Sequence, residues 1–141
     1  MSLAALLSKA DVACFDAGGQ GGTYNGNLLM TAVGYSVISQ LTAPGFLEGV
    51  REKGEYLKQE LLKLSAERSF KGERGEGLLR ALLLDSDKGP QIVEKARLMQ
   101  PDGLLVNAAR PNLLRFMPAL NVTRDEIDLT MKMLRSVLDS L

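Results

Sequence analysis

The chain has 141 residues, 45% hydrophobic and 24% charged, which fits one soluble globular domain. Basic and acidic residues both number 17, so zero net charge provides no overall field for nucleic acid or an anionic membrane. Histidine is absent, which removes the commonest general base and zinc ligand, and the single cysteine, Cys14, excludes an intrachain disulfide. We expect no metal site, no nucleic-acid partner and no membrane span, a cytoplasmic location, and a buried, apolar Cys14.

Residues 4–17 show no core of their own and fit two short strands or an extended arm. Residues 18–27 contain five glycines, so this segment needs backbone freedom or allows something to approach closely. Asn25 or Asn27 is expected to cap the helix that follows.

Two helices are predicted next. Residues 28–42 are apolar on most sides, which is typical of a helix that is buried or lies at an interface. Residues 46–66 repeat leucine and valine at helical spacing with charged residues between them, and Pro44 fits the start of that helix.

Strand patterns dominate the second half. Residues 68–84 predict two strands around a glycine-punctuated bend, and Pro90 opens a third helix. Residues 104–106 and 113–117 predict two more strands, with Pro118 ending the last one.

Thr123 and Glu126 form a capping box before the final helix. The predicted fold is therefore α/β of the α+β type: a mainly antiparallel sheet of three to four strands covered by helices.

The glycine-rich loop could bind an anion. Backbone N–H groups and the helix dipole at a helix start suit a phosphate, and Thr23 could add a hydroxyl donor. The loop is neither a P-loop nor a dinucleotide fingerprint, because the lysine of the first and the βαβ unit of the second are missing. A flexible loop with a helix cap explains the same residues.

Arg115 lies inside the apolar run Leu113–Met117. A buried arginine needs an anionic partner or a site, whereas strand alternation also permits a solvated position on the outer face. The charged residues of 73–80 are interpreted as a solvated strand face with modest ion pairs.

Two motifs resemble the class III (fold-type I) pyridoxal-phosphate aminotransferases, and most the acetylornithine aminotransferases among them. These are Gln-Gly-Gly-Thr-Tyr-Asn-Gly-Asn at residues 20–27 and Leu-Leu-Arg-Phe-Met-Pro-Ala-Leu-Asn-Val-Thr at 113–123. Gly75–Leu79 fits the family's middle strand, and the similarity extends from Leu6 onward.

The resemblance implies a homodimer, or a higher homo-oligomer, with pyridoxal 5'-phosphate at the interface. It implies that Thr23 donates to the cofactor phosphate of the other subunit, that Gly22 lies near substrate, and that Arg115 meets a substrate carboxylate or a nearby glutamate. Gly19 and Leu28 depart from the family's usual acidic residue and proline, which puts the rigidity of the loop in question.

The family's Schiff-base lysine is expected upstream of this chain, so no catalytic residue is assigned here. Residues 1–27 would be a truncated linker from a large domain, including the phosphate-contacting loop, and residues 28–141 the C-terminal small domain. The implied function is amino transfer between N2-acetyl-L-ornithine and 2-oxoglutarate in arginine biosynthesis. The fragment itself would be inactive and would not hold the cofactor. The alternative is a standalone, non-catalytic binding or assembly module with the same fold.

Overall fold

The computed structural model describes residues 3–141, so Met1 and Ser2, part of the predicted 1–27 segment, lie outside the described residues. Its elements in chain order are α1 (Leu28–Leu41), α2 (Phe46–Glu67), β1 (Gly72–Glu76), β2 (Leu79–Leu83), α3 (Gly89–Arg97), β3 (Asn107–Arg110), β4 (Leu113–Phe116) and α4 (Arg124–Asp139). The chain divides into two compact units, one ending at Phe46 and the other running from Leu47 to Leu141.

Among its described residues, the first unit contains one helix. Residues 3–27 form turns and extended chain without a strand, so the two short strands considered for residues 4–17 do not form, and the segment is an arm. Cys14 is exposed, so the prediction that it is buried is wrong: the arm builds no core that could enclose a thiol. α1 begins after Asn27, whose side-chain oxygen accepts from the amides of Leu29 and Met30 at 3.1 and 3.2 Å.

The second unit is built on a four-stranded antiparallel sheet with the order β1-β2-β4-β3. This confirms the predicted α/β class and the antiparallel sheet. The strand predicted at residues 104–106 is wrong, because the β3 ladder begins only at Asn107. The amide of Leu104 instead donates to the Ala96 carbonyl at 2.8 Å, which ties this segment to the end of α3.

The helices α2, α3 and α4 supply the core that covers one face of the sheet. The core residues with the least exposed surface are Leu61 and Leu64 of α2, Leu82 and Leu114 of the sheet, Leu84 just after β2, Ile92 and Ala96 of α3, and Met131 and Leu134 of α4. Each buried aliphatic side chain contributes roughly 1.5–3 kcal/mol, so the predicted leucine stripes are the main source of stability.

The β1–β2 hairpin is held by a buried ion pair. Arg80 contacts Glu73 at 3.4 Å, and both side chains are only 7% exposed. Arg80 also donates to the carbonyls of Gly77 and Gly75 at 3.0 and 2.9 Å. The interpretation of residues 73–80 as a solvated face is therefore wrong for this pair: the strand register turns Arg80 and Glu73 to the side of the helices, and the turn carbonyls satisfy the remaining guanidinium donors.

Helix α4 confirms its predicted start. The Thr123 hydroxyl accepts from the Glu126 amide at 3.2 Å, and the Glu126 carboxylate accepts from the Thr123 amide at 2.7 Å. Within residues 3–141, no helix has both the length and the apolar character needed to cross a membrane.

Candidate functional site

The glycine-rich loop of the first unit folds into a tight turn just before α1. The Asn25 amide donates to the Gly22 carbonyl at 3.0 Å, and the Asn27 amide donates to the Tyr24 carbonyl at 3.1 Å. Gly26 has a φ of 71°, in the left-handed region that favours glycine. Its position explains why a glycine stands directly before the capping asparagine.

Thr23 and Gly22 occupy the accessible side of this turn. Thr23 is exposed, and its hydroxyl bonds to no other group among residues 3–141. A Cβ added to Gly22 would lie 3.0 Å from the side-chain oxygen of Asn25, so a side chain there would crowd the turn. The turn therefore offers a hydroxyl donor that can meet an external anion.

Several backbone amides at and before the start of α1 already donate hydrogen bonds. The amides of Leu29 and Met30 donate to the Asn27 side chain, and the Asn25 and Asn27 amides donate within the turn. Because these four donors already have partners, a phosphate at this site would depend on the Thr23 hydroxyl more than on the open end of a helix.

Arg115 lies in the second unit, at the centre of β4. Its Cα partners are Ala81 on β2 and Asn107 on β3. Arg115 is exposed, whereas its neighbours Leu114 and Phe116 belong to the core on the helix side. Of the two alternatives that the sequence left open, the structure shows the outward-facing strand position. Gly22 and Thr23 are thus neighbours in one unit, and Arg115 belongs to the other.

A hollow of about 400 Å³ begins beside Arg115 and is bordered by α2, the segment before β3 and α4. Its walls are mostly apolar, from Leu57, Val106, Phe116 and Ile127, and Arg115 and Asn107 provide polar groups. An apolar cavity with a few polar groups is the usual form of a small-molecule site. Because strand alternation turns the Arg115 side chain to the opposite face of the sheet, the apolar walls rather than its guanidinium define this hollow.

Sequence reasoning missed two arginines near Arg115. Arg74 of β1 and Arg110 of β3 line a second hollow together with Arg115. Arg74 was assigned to a solvated strand face and Arg110 was not singled out. The signal that could have found them is the strand register, which places Arg74 and Arg115 on either side of Ala81.

The groups with shifted pKa values lie elsewhere, on and between the helices. A hydrogen bond from Arg135 lowers the pKa of Glu67, and the hydrogen bond to Asp128 at 2.5 Å raises the pKa of Tyr56. The Arg124 guanidinium lies over the Tyr56 ring at 5.2 Å from its centre. These contacts join α2 to α4, and residues 3–141 contain no cluster of three metal-binding acids or cysteines.

Comparison with known proteins identifies the family of this chain. The sequence profile described as aminotransferase class-III matches residues 1–138. The chain belongs to the class III aminotransferases.

Two relatives carry a more specific name. The chain is 67% identical over 136 residues to an acetylornithine aminotransferase of Ralstonia nicotianae, covering 96% of this chain and 34% of that protein. It is 38% identical over 140 residues to an acetylornithine aminotransferase of Caldanaerobacter subterraneus, covering 99% of this chain and 35% of that protein. The chain thus spans about a third of the length of these curated relatives.

Solved class III structures share the fold. A lysine aminotransferase from M. tuberculosis matches with a TM-score of 0.76 and 27% identity, over 86% of this chain and 28% of that one. An N-acetylornithine aminotransferase from Stenotrophomonas maltophilia matches with a TM-score of 0.71 and 27% identity, over 79% of this chain and 31% of that one. Both comparisons support the α/β class derived from the sequence.

Proposed function

We propose that this chain is the C-terminal portion of an acetylornithine aminotransferase. The parent protein would transfer an amino group between N2-acetyl-L-ornithine and 2-oxoglutarate, a step of arginine biosynthesis in the cytoplasm. The observation that carries the proposal is the 67% identity to a protein of that name over nearly the whole chain. Residues 1–27 would then link to a preceding large domain, and residues 28–141 would form the small domain.

The phosphate group of pyridoxal 5'-phosphate fits the turn before α1 in the first unit. The exposed Thr23 hydroxyl is a donor without an internal partner, and a phosphate oxygen of a cofactor held by a second copy of the protein would supply the acceptor. When bound, pyridoxal phosphate supplies the electron sink that makes amino transfer possible. The role of this chain is to fix the cofactor, and Gly22 leaves room for substrate beside the turn.

Arg115 would hold the substrate. Its planar guanidinium offers two parallel N–H donors to a carboxylate, a geometry that a lysine cannot reproduce. Because Arg115 has no carboxylate partner within residues 3–141, the fork is available to a substrate carboxylate or to a glutamate of a preceding domain. Both uses require the same outward position on β4.

The 141 residues alone would not turn over substrate. The lysine that attaches the cofactor in this family would lie outside these residues, since the chain spans about a third of the relatives' length. We propose the homodimer as the active assembly, since the proposed Thr23 contact would join one subunit to the cofactor of the other.

The test is an amino-donor panel on the full-length protein that contains this sequence. N2-acetylornithine, succinylornithine, ornithine and 4-aminobutyrate are each assayed with 2-oxoglutarate, and we expect the highest kcat/KM with N2-acetylornithine. A preference for another donor would refute N2-acetylornithine as the substrate. No turnover with any of the four donors would favour the alternative, a non-catalytic binding or assembly module.

The role of Thr23 is tested by Thr23→Val and Thr23→Ser in the same full-length protein. Loss of a hydrogen bond to a charged phosphate should weaken cofactor affinity by about tenfold or more in Thr23→Val, whereas Thr23→Ser should retain most of it. Cofactor release is followed by its absorbance after dialysis. Equal affinity in both variants would remove Thr23 from the phosphate site.

A further inference from the structure

A small hollow of about 210 Å³ lies where the ends of α2, β2 and α4 meet the start of α3. Its walls are mainly apolar, and two of them, Leu84 and Ile92, are each 1% exposed and belong to the helix-side core. Three charged side chains line the same hollow, those of Arg68, Asp85 and Lys88. The volume is below the roughly 300–1,000 Å³ of drug-sized sites, so the hollow suits a small molecule.

Arg68, directly after α2, has a buried guanidinium nitrogen without a partner. Its Nη2 donates to the Asp139 carboxylate, whereas its Nε is buried and bonds to no group of residues 3–141. Within that range, no other buried side-chain nitrogen or oxygen lacks a partner. A buried donor without an acceptor bears its full desolvation penalty, so we expect an acceptor oxygen at this nitrogen. Because the guanidinium is charged, an anionic oxygen is favoured over a neutral one.

Lys88 and Asp85 bring opposite charges to the hollow without pairing with each other. Across the described residues, the Lys88 ammonium has no carboxylate within 4.0 Å. The Asp85 carboxylate accepts from the Ser86 hydroxyl at 3.1 Å. Both Lys88 and Asp85 are exposed, so their charged groups can meet a molecule that enters the hollow from solvent.

These groups together match a molecule that carries both charges. Arg68 and Lys88 provide two cations for a carboxylate, and Asp85 provides an anion for an ammonium group. A simple carboxylate would leave Asp85 unpaired beside a like charge, and a simple amine would leave the buried Arg68 Nε without an acceptor. The apolar walls suit an aliphatic side chain and are formed by Phe70, Leu84, Ile92, Leu138 and Leu141.

We propose that this hollow binds a small aliphatic α-amino acid, with its carboxylate on Arg68 and Lys88 and its ammonium group on Asp85. The inference goes beyond the proposed function and does not depend on it. Most walls of the hollow belong to the helix-side core or pack against it, whereas Arg115 projects from the other face of the sheet. The two sites can therefore fail separately.

The experiment is a titration of the 141-residue chain, labelled with 15N, followed by the Nε–H signal of Arg68 and the backbone amide signal of Leu84. L-valine is the probe. The references at equal ionic strength are 3-methylbutanoate, which lacks the ammonium group of valine, and 2-methylpropan-1-amine, which lacks its carboxylate. We expect saturable shifts with valine, several-fold tighter than with either reference. This comparison uses the unaltered chain, so it does not depend on the folding of any variant.

Four variants locate the binding. Lys88→Gln and Asp85→Asn should each weaken valine binding by about fivefold, since each removes a charge-assisted contact from an exposed side chain. Asp85→Asn should not weaken binding of 3-methylbutanoate, which has no ammonium group to lose. Arg68→Lys keeps the positive charge but removes the Nε–H donor, so it should weaken valine binding as followed at Leu84. Arg97→Gln, which removes an exposed arginine from α3, should leave binding unchanged.

Three results would overturn the inference. They are shifts that never saturate, 3-methylbutanoate binding as tightly as valine, and equal weakening by Lys88→Gln and Arg97→Gln. If Arg115→Gln abolished valine binding while Asp85→Asn had no effect, this site would be refuted and the amino acid would belong to the proposed substrate contact. Absence of transaminase activity in the full-length protein would refute the proposed function and leave this binding test intact.

Discussion

At the residue scale, Arg80 shows how a charge can be buried in a small domain. Its guanidinium is placed on the helix side of the sheet by strand alternation, where an unpaired cation would be very costly. Glu73 neutralises the charge, and the carbonyls of Gly75 and Gly77 accept the other donors. The ion pair therefore fixes the shape of the hairpin that carries Arg74.

Removal of Glu73 tests this role. Glu73→Ala should lower the free energy of unfolding by about 3 kcal/mol, because it leaves a buried guanidinium without its counter-charge. Glu76→Ala, on the same strand but exposed, is the control and should change it by about 0.5 kcal/mol or less. Urea denaturation followed by circular dichroism measures both, and equal losses would show that the pair does not hold the hairpin.

At the element scale, α2 approaches the hairpin more closely than a side chain would allow. A Cβ on Gly54 would lie 2.7 Å from the backbone carbon of Gly77, and backbone atoms cannot move aside cheaply. Gly54 is buried in the middle of α2, where glycine is otherwise unfavourable. Close packing between helix and turn thus outweighs helix propensity at this position.

Two glycines of α2 provide a matched comparison. Gly49→Ala should raise the free energy of unfolding by up to about 1 kcal/mol, because no atom lies within 4 Å of the added Cβ. Gly54→Ala should lower it, since the new methyl group overlaps Gly77. Thermal denaturation of both variants measures the difference, and stabilisation by Gly54→Ala would contradict the close approach.

The cap of α4 makes stability depend on pH. The hydrogen bond from the Thr123 amide lowers the pKa of Glu126 below its ordinary value of 4.5. A carboxylate with a lowered folded-state pKa stabilises the fold fully above 4.5 and loses this contribution as the pH falls through the folded-state pKa. The cap should therefore weaken in acid.

Substitution of either capping residue checks this. Thr123→Ala should cost about 1 kcal/mol at neutral pH through the lost N-cap. Glu126→Gln should be less stable than the wild type at pH 7, and the difference should shrink below pH 4.5. Asp125→Asn, which leaves the Thr123 hydrogen bonds in place, is the control. A difference independent of pH would show that the Glu126 carboxylate is not part of the cap.

At the scale of the whole molecule, α1 leaves apolar surface uncovered. None of its residues is buried, although most of them are apolar. Leu28 is 87% exposed and Ile38 is 58% exposed. A soluble monomer rarely exposes an apolar surface of this kind, so a second copy of the chain or a preceding domain is the expected cover.

We predict that the 141-residue chain forms dimers or larger oligomers, as measured by light scattering across a concentration series. Val37→Glu with Ile38→Glu should shift the chain toward monomer, because charges would have to be desolvated at the interface. Leu129→Glu, an exposed position on α4, should not. A wild-type chain that stays monomeric at high concentration would contradict the prediction.

Hydrophobic periodicity and local capping signals were enough to predict several helices from the sequence. The helices α1 and α2 begin and end within a residue or two of the predicted bounds, and the Thr123 cap was identified from two residues alone. Cys14 and the segment before β3 were misjudged, since their environment depends on which distant residues surround them. Arg74 and Arg110 were missed for the same reason: their proximity to Arg115 arises from strand pairing.

The sequence by itself determined the class of fold, the helix caps and the family, because these depend on local spacing and on motifs read along the chain. Only the tertiary structure decided which charges are buried, as for Arg80, and which lie exposed on the sheet, as for Arg115. The physical reason is that burial and ion pairing depend on strand register and helix packing, which join residues far apart in the sequence.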